Sequence, residues 1–170
     1  ILAGGTGSRL RPLTSVTNKH LLPVGKQPMI LCAVRKLVEA GVSDIMVVTG
    51  TEHMGDMITL LGSGSDYECE FTYRVQDKPD GIAGALSLCE DFCAGSPCIV
   101  ILGDNIFEDS LLDPVNKFKK MCKEKSGSQC MLLLKKVEDP HRFGVATVKK
   151  DTISKIVEKP KDPESDLCVT

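Results

Sequence analysis

Little in this chain points to a membrane, a secreted scaffold or a nucleic acid. No apolar run approaches the roughly 20 residues that span a bilayer, and no secretory signal precedes the first apolar strand. A cytoplasmic protein with no membrane partner is therefore expected. Positive charge is not in excess, the formal net charge being −2, which argues against a nucleic acid polymer as partner. The one basic run, Lys117, Lys119, Lys120, Lys123 and Lys125, is interrupted by Phe118, Met121 and Glu124 and reads as a solvated helix face. Zinc-type cysteine spacing is missing as well. None of the eight cysteines forms a C-x-x-C pair, and Cys89 with Cys93 would supply only two ligands on one helix face. Small, reduced, buried cysteines are expected. His20, His53 and His141 lack the spacing of a triad or a metal site, so they are expected at the surface or on helix flanks, without a catalytic role. Repeats, low-complexity segments and linkers are also absent, which makes 1–170 a single domain by expectation.

What is present is concentrated near the start: Leu2-Ala3-Gly4-Gly5-Thr6-Gly7-Ser8-Arg9-Leu10-Arg11-Pro12-Leu13-Thr14, continuing to Lys19 and Leu21-Leu22-Pro23-Val24. Glycine removes the Cβ that keeps a phosphate at a distance and lets successive N–H groups converge on an anion. Arg9 adds a permanent charge on a planar fork of donors. Two common phosphate loops are excluded. A P-loop needs Lys-Ser or Lys-Thr after the glycines, and a dinucleotide fingerprint needs a third glycine where this chain has Leu10, with Pro12 just beyond.

Strand-like and helix-like segments alternate along the chain. Ile1–Ala3, Ile45–Val48, Glu70–Val75, Cys98–Leu102 and Cys130–Leu134 read as strands. Helical spacing covers Pro28 to Ala40, Glu52 to Leu61, Ile82 to Phe92 and Ser110 to Lys125. From Gly144 to Val157 the pattern changes to short strands with a hairpin near Lys150-Asp151. Such alternation predicts an α/β fold with a doubly wound, mostly parallel, Rossmann-like sheet. Ligands of such sheets sit beyond the carboxyl ends of the strands, which places the glycine loop and Asp104 on one edge.

The opening string, with Val75-Gln76, Pro79-Asp80-Gly81, Leu102-Gly103-Asp104-Asn105, Phe143-Gly144-Val145 and Val157-Glu158-Lys159-Pro160, resembles the sugar-1-phosphate nucleotidyltransferases over nearly the whole chain. Among these it is most similar to the glucose-1-phosphate thymidylyltransferases. The resemblance implies transfer of a nucleotidyl group from a nucleoside triphosphate, dTTP favoured over UTP, to a sugar-1-phosphate, glucose-1-phosphate favoured, with release of pyrophosphate. It implies Mg2+ as cofactor and a possible homo-oligomer. A regulator that binds the same ligands without turnover is the other reading of the same residues.

On this resemblance Arg9 stabilises the transition state, Lys19 lies near the phosphates, and Asp104 is a catalytic residue and the metal ligand. Leu2, Ala3, Gly4, Gly5, Thr6 and Gly7 line the nucleotide, and Gln76 and Gly81 read the base. Gly144, Glu158 and Lys159 belong to the sugar-phosphate side. Independently of the family, a glutamine amide carries a donor and an acceptor that match O4 and N3–H of thymine or uracil. Arg11 serves equally well as a surface ion-pair residue. Asp80 reads as a turn residue and is left out of the site. The chain opens within one strand and closes on what looks like the start of another. It is therefore expected to be cut at both ends, with the C-terminal part of the catalytic domain and a second metal carboxylate missing.

Overall fold

The computed structural model describes residues 1–5 and 7–169; Thr6 and Thr170 lie outside it. The chain divides into two compact units, Ile1–Lys125 and Ser126–Thr170. No linker in the sequence announces the boundary.

The first unit is built on a parallel sheet. Strands β1 (Leu2–Ala3), β4 (Asp44–Gly50) and β5 (Glu70–Gln76) lie in the order β1-β4-β5. Ala3 pairs with Thr49, and Gly50 with Gln76. Between β1 and β4 runs a two-residue antiparallel pair, β2 (Pro23–Val24) and β3 (Gln27–Pro28), followed by helix α1 (Ile30–Glu39). Helix α1 buries Ile30, Leu31, Ala33, Val34 and Leu37; of the apolar positions read from the sequence, Ile30, Leu31, Val34, Leu37 and Val38, the last is only half-buried. Its end is a Schellman motif. Val42 N–H reaches Leu37 O at 3.0 Å and Gly41 N–H reaches Val38 O at 2.9 Å, with Gly41 at φ 75°. Pro28, expected in the first turn of this helix, lies one step earlier, in β3.

Strand β4 carries the core. Ile45 to Thr49 are all buried, so both faces of the strand are covered, since alternate side chains point to opposite faces. Met46 and Val48 pack with Leu2, Ala85 and Cys89. Helix α2 (Met54–Leu61) separates β4 from β5. The segment expected as one helix from Ile82 to Phe92 is two, α3 (Gly81–Ser87) and α4 (Glu90–Cys93). A tightened turn, Cys89 N–H to Leu86 O at 2.9 Å, separates them. Helix α5 (Leu112–Glu124) closes the unit, with Lys117, Lys119, Lys120 and Lys123 exposed along it, the solvated face expected.

Two expected strands are reduced. In Cys98–Leu102 only Leu102 bridges, to Leu2, through Leu2 N–H to Ile101 O at 2.8 Å and Gly103 N–H to Leu2 O at 2.9 Å. The apolar run is real, but β1 is too short to offer it a longer ladder. In Cys130–Leu134 only the last residue belongs to a strand, as the start of β6 (Leu134–Lys136). Cysteines depart from expectation in part. All eight are free, yet only Cys89 and Cys168 are buried, and Cys98 and Cys130 are exposed. Among the described residues no helix is long and apolar enough to cross a membrane.

The second unit is an antiparallel sheet in the order β6-β9-β7-β8, with β7 Gly144–Lys149, β8 Thr152–Glu158 and β9 Leu167–Val169. The expected hairpin is present. Lys149 pairs with Thr152 across a two-residue turn, and Lys150 and Asp151 stand at φ 48° and 62°. Two central residues at positive φ are the mark of a type I′ turn, which Asn-Gly favours far more than Lys-Asp. Replacing Lys150→Asn and Asp151→Gly together should therefore raise the stability of this unit by about 1 kcal/mol, measured by urea denaturation.

Candidate active site

Four chain segments leave the parallel sheet at the same edge. Gly4 follows β1, Gly50 and Gln76 end β4 and β5, and Asp104 follows the bridge residue Leu102 by two positions. The carboxyl-edge placement inferred for the glycine loop and Asp104 thus follows from the register.

The centre of this edge is an ion pair. Lys19 Nζ donates to Asp104 Oδ2 at 2.5 Å, with both side chains partly buried. Burial pushes the Asp104 carboxyl up. The hydrogen bond and charge of Lys19 push it down, with lesser help from His20 and its own backbone, and the net result lies below the usual carboxylate range. The aliphatic end of Lys19 runs beneath the glycine loop. A Cβ on Gly5 would meet its Cε at 3.4 Å and its Nζ at 3.6 Å. Gly7 adopts φ 61°, its carbonyl accepts from Thr14 Oγ1 at 2.8 Å, and a Cβ there would stand 2.8 Å from Thr14 Cγ2. The loop is thereby clamped from below by Thr14 and Lys19.

Arg9 lies in a 3-10 turn, Ser8–Leu10, just beyond the loop. It is exposed, and among the described residues it makes no hydrogen bond or ion pair. Leu2 and Ala3, expected to line the nucleotide, have buried side chains. Their backbone serves the sheet and accepts from Asn18. Thr6 lies outside the described residues.

Gln76 reaches back across the edge to Gly4, where a Cβ would stand 2.6 Å from its Oε1. Its Nε2 donates to Asp80 Oδ1 at 2.5 Å and to Gly81 O at 3.2 Å. The Gln76 nitrogen, expected to serve the base together with the oxygen, thus has protein acceptors in Asp80 and Gly81, while the oxygen faces Gly4.

Gly144, Glu158 and Lys159 come together in the second unit. Gly144 pairs with Glu158 across the hairpin, Lys159 N–H donates to Phe143 O at 2.9 Å, and the Lys159 ammonium lies 3.4 Å from Glu158 Oε1.

The residues that sequence reasoning missed are those supporting the ion pair. His20, expected at the surface, is 1% exposed. The side-chain oxygen of Asn18 accepts from the His20 backbone N–H at 2.9 Å and faces its Nδ1 at 2.5 Å, while Asn18 Nδ2 donates to Ala3 O at 3.2 Å. Since that oxygen can only accept, His20 carries its proton on Nδ1. The imidazole packs beneath the Gly103-Asp104 turn, where a Cβ on Gly103 would meet Cδ2 at 2.8 Å. Asn18 and His20 thus tie β1 to the Asp104 turn and hold Lys19 between them. Their only trace in the sequence is a polar Asn-Lys-His triplet running into Leu21-Leu22.

Among the described residues, no group of three or more His, Cys, Asp or Glu side chains could hold a metal by itself. Asp104 fits a Mg2+ ion that takes its remaining ligands from phosphate and water. It is a hard oxygen donor held ionised at the ligand edge, and Lys19 occupies only one of its two oxygens.

A sequence model of the nucleotidyl transferase family matches residues 1–170, and the chain belongs to that family. It is 38% identical over 170 residues to the low-salt glycan biosynthesis nucleotidyltransferase Agl11 of Haloferax volcanii, covering 99% of this chain and 46% of that protein. It is 39% identical over 171 residues to the glucose-1-phosphate thymidylyltransferase of Neisseria gonorrhoeae, covering all of this chain and 58% of that protein. The chain thus spans about half the length of these curated relatives. Among solved structures, a Bacillus anthracis protein provisionally named glucose-1-phosphate thymidylyltransferase, in complex with sucrose, matches with a TM-score of 0.92 at 55% identity. That match covers 99% of this chain and 67% of the other. A UDP-glucose pyrophosphorylase complexed with UDP-glucose matches with a TM-score of 0.80 at 26% identity, over 99% of this chain and 71% of the other.

Burial, then the neighbouring Lys19, lowers the His20 pKa from 6.5 to about 4, with Asp104 opposing. The unfolded chain therefore binds a proton that the native state refuses between those values. Stability should be complete above the ordinary histidine pKa and fall by about 3 kcal/mol as pH drops to about 4. Urea denaturation across that range should show the slope, and His20→Gln should remove it.

Proposed function

We propose that this chain carries the nucleotide-binding and reacting centre of a sugar-1-phosphate nucleotidyltransferase, with dTTP and glucose-1-phosphate as substrates. The observation that carries the reading is the Lys19–Asp104 pair seated under the glycine loop at the carboxyl edge of the parallel sheet. An ammonium and a carboxylate meet there beside close-approach backbone, and Arg9 follows in the turn Ser8–Leu10 just beyond the loop, which supports a polyphosphate as ligand. The names of the curated relatives favour thymidylyl transfer to glucose-1-phosphate. The likeness to a UDP-glucose pyrophosphorylase favours UTP as the second candidate.

In the reaction, an oxygen of the sugar phosphate forms a bond to the α-phosphorus of the triphosphate. The bond from that phosphorus to the bridging oxygen breaks, and pyrophosphate leaves with the electron pair. The nucleophile is already an anion, so no general base is required. The protein's task is to bring two polyanions together and stabilise the charge that develops. Gly4, Gly5 and Gly7 admit the phosphates close to backbone N–H groups. Arg9 faces the α-phosphoryl oxygens, and Lys19 leaves Asp104 for the phosphates. A Mg2+ ion held by Asp104 supplies neutralisation and alignment of phosphate oxygens when bound. Gln76 accepts from N3–H of the base, and the Gly81 N–H, in the first turn of α3 without an intrahelical partner, donates to a base carbonyl. Gly144, Glu158 and Lys159 bind the sugar phosphate.

The intact protein should release pyrophosphate from dTTP and glucose-1-phosphate with Mg2+. Arg9→Ala should lower that rate by about 10²–10³-fold with little change in dTTP affinity. Absence of turnover with either dTTP or UTP would overturn the reading. An Arg9→Ala effect confined to affinity would instead identify a binding protein.

A further inference from the structure

The contact between Gln76 and Asp80 has a chemical direction. A carboxylate oxygen and a carbonyl oxygen only accept hydrogen bonds, so the end of the Gln76 amide that faces Asp80 Oδ1 and Gly81 O must be its nitrogen. The amide oxygen is turned the other way, onto Gly4, where no side chain would fit. Rotating the amide by half a turn would set its oxygen against a carboxylate. Asp80 likewise depends on a glycine for its position. Its carboxylate lies directly on Gly84, and any Cβ at that position would clash with it. Asp80 precedes α3, yet its side chain makes no capping hydrogen bond to that helix. The turn-and-cap role that Pro79-Asp80-Gly81 suggests therefore leaves the carboxylate unexplained, and its partner is the Gln76 amide.

We propose that Asp80 is a positioning residue that sets base specificity: by fixing the Gln76 amide with its oxygen open, it makes the site present an acceptor and not a donor to the nucleobase. The proposal rests on the assignment of Gln76 to the base. Thymine and uracil offer N3–H to such an acceptor. Cytosine presents a bare N3, so two lone pairs would face each other and neither would find a partner. Without Asp80 only the Gly81 carbonyl still holds the amide nitrogen, and the distinction between the bases weakens.

The test is binding of dTTP and dCTP by calorimetry to the intact protein and to its Asp80→Asn, Gly84→Ala and Gln76→Ala variants. Asn at 80 keeps the shape but satisfies the Gln76 amide in either orientation. The preference for dTTP over dCTP should fall about tenfold, the scale of one hydrogen bond. The KM for dTTP should rise with kcat unchanged, the sign of an interaction made equally before and during reaction. Gly84→Ala, which displaces the carboxylate by another route, should give the same loss of preference. Asp80→Asn and Gly84→Ala both retaining the parent's preference, or weakening both nucleotides equally, would overturn the role of Asp80. If Gln76→Ala abolishes the preference while Asp80→Asn leaves it intact, only the positioning role fails. If Gln76→Ala leaves the preference intact, base reading by Gln76 fails and the proposal falls with it.

Discussion

The organisation of the ligand edge depends on one contact, the hydrogen-bonded ion pair between Lys19 and Asp104. Asp104 follows the Leu102 bridge, and Lys19 belongs to the irregular chain after the glycine loop. Nothing in the sheet ladder joins these two segments. The pair does so, and it costs solvation on both sides, which the carboxylate recovers through Lys19 and its own backbone. The arrangement holds only because the surrounding groups are satisfied. Asn18 uses its oxygen for His20 and its nitrogen for Ala3, and neutral His20 fills the space beneath Gly103.

Glycine does more here than relax the backbone. Gly4 admits the Gln76 amide, Gly103 admits the His20 ring, and Gly84 admits the Asp80 carboxylate, each at a distance that a Cβ would forbid. A side chain at any of these glycines would have to displace its neighbour, so the observed positions of the Gln76 amide, the His20 ring and the Asp80 carboxylate depend on glycine. Such preorganisation is what a polyanion site requires, because every donor already aimed at the phosphate spares reorganisation during reaction. In the ligand-free chain Asp104 answers the charge of Lys19, a role that a phosphate takes over under the proposed function.

Much of this was legible in the residues. The α1 stripe, the continuous apolar run of β4, the hairpin at Lys150-Asp151 and the carboxyl-edge position of Asp104 all follow from periodicity and chain order. The rest depends on partners that a one-dimensional pattern does not contain. Cys98–Leu102 is apolar enough for a strand, but a ladder needs a neighbour, and β1 offers it a single bridge. His20 gave no signal because its burial follows from the empty space over Gly103, which exists only once the 98–104 segment lies beside β1. Asp80 reads as a turn residue by composition. Its bond to Gln76, four positions away, appears only when β5 ends and the chain folds back into α3. Glycine loop and strand-end carboxylate were readable as chemistry, whereas the groups that aim them are products of packing.

The central claim is tested most directly by a double-mutant cycle on Lys19→Met and Asp104→Asn, read as free energy of unfolding in the absence of nucleotide. If the pair organises the edge, the two changes should be coupled by at least about 1 kcal/mol, above the usual worth of an exposed ion pair. Additivity to within about 0.3 kcal/mol would contradict the account, since it would mean that the glycine loop and the Asp104 turn hold their places without each other.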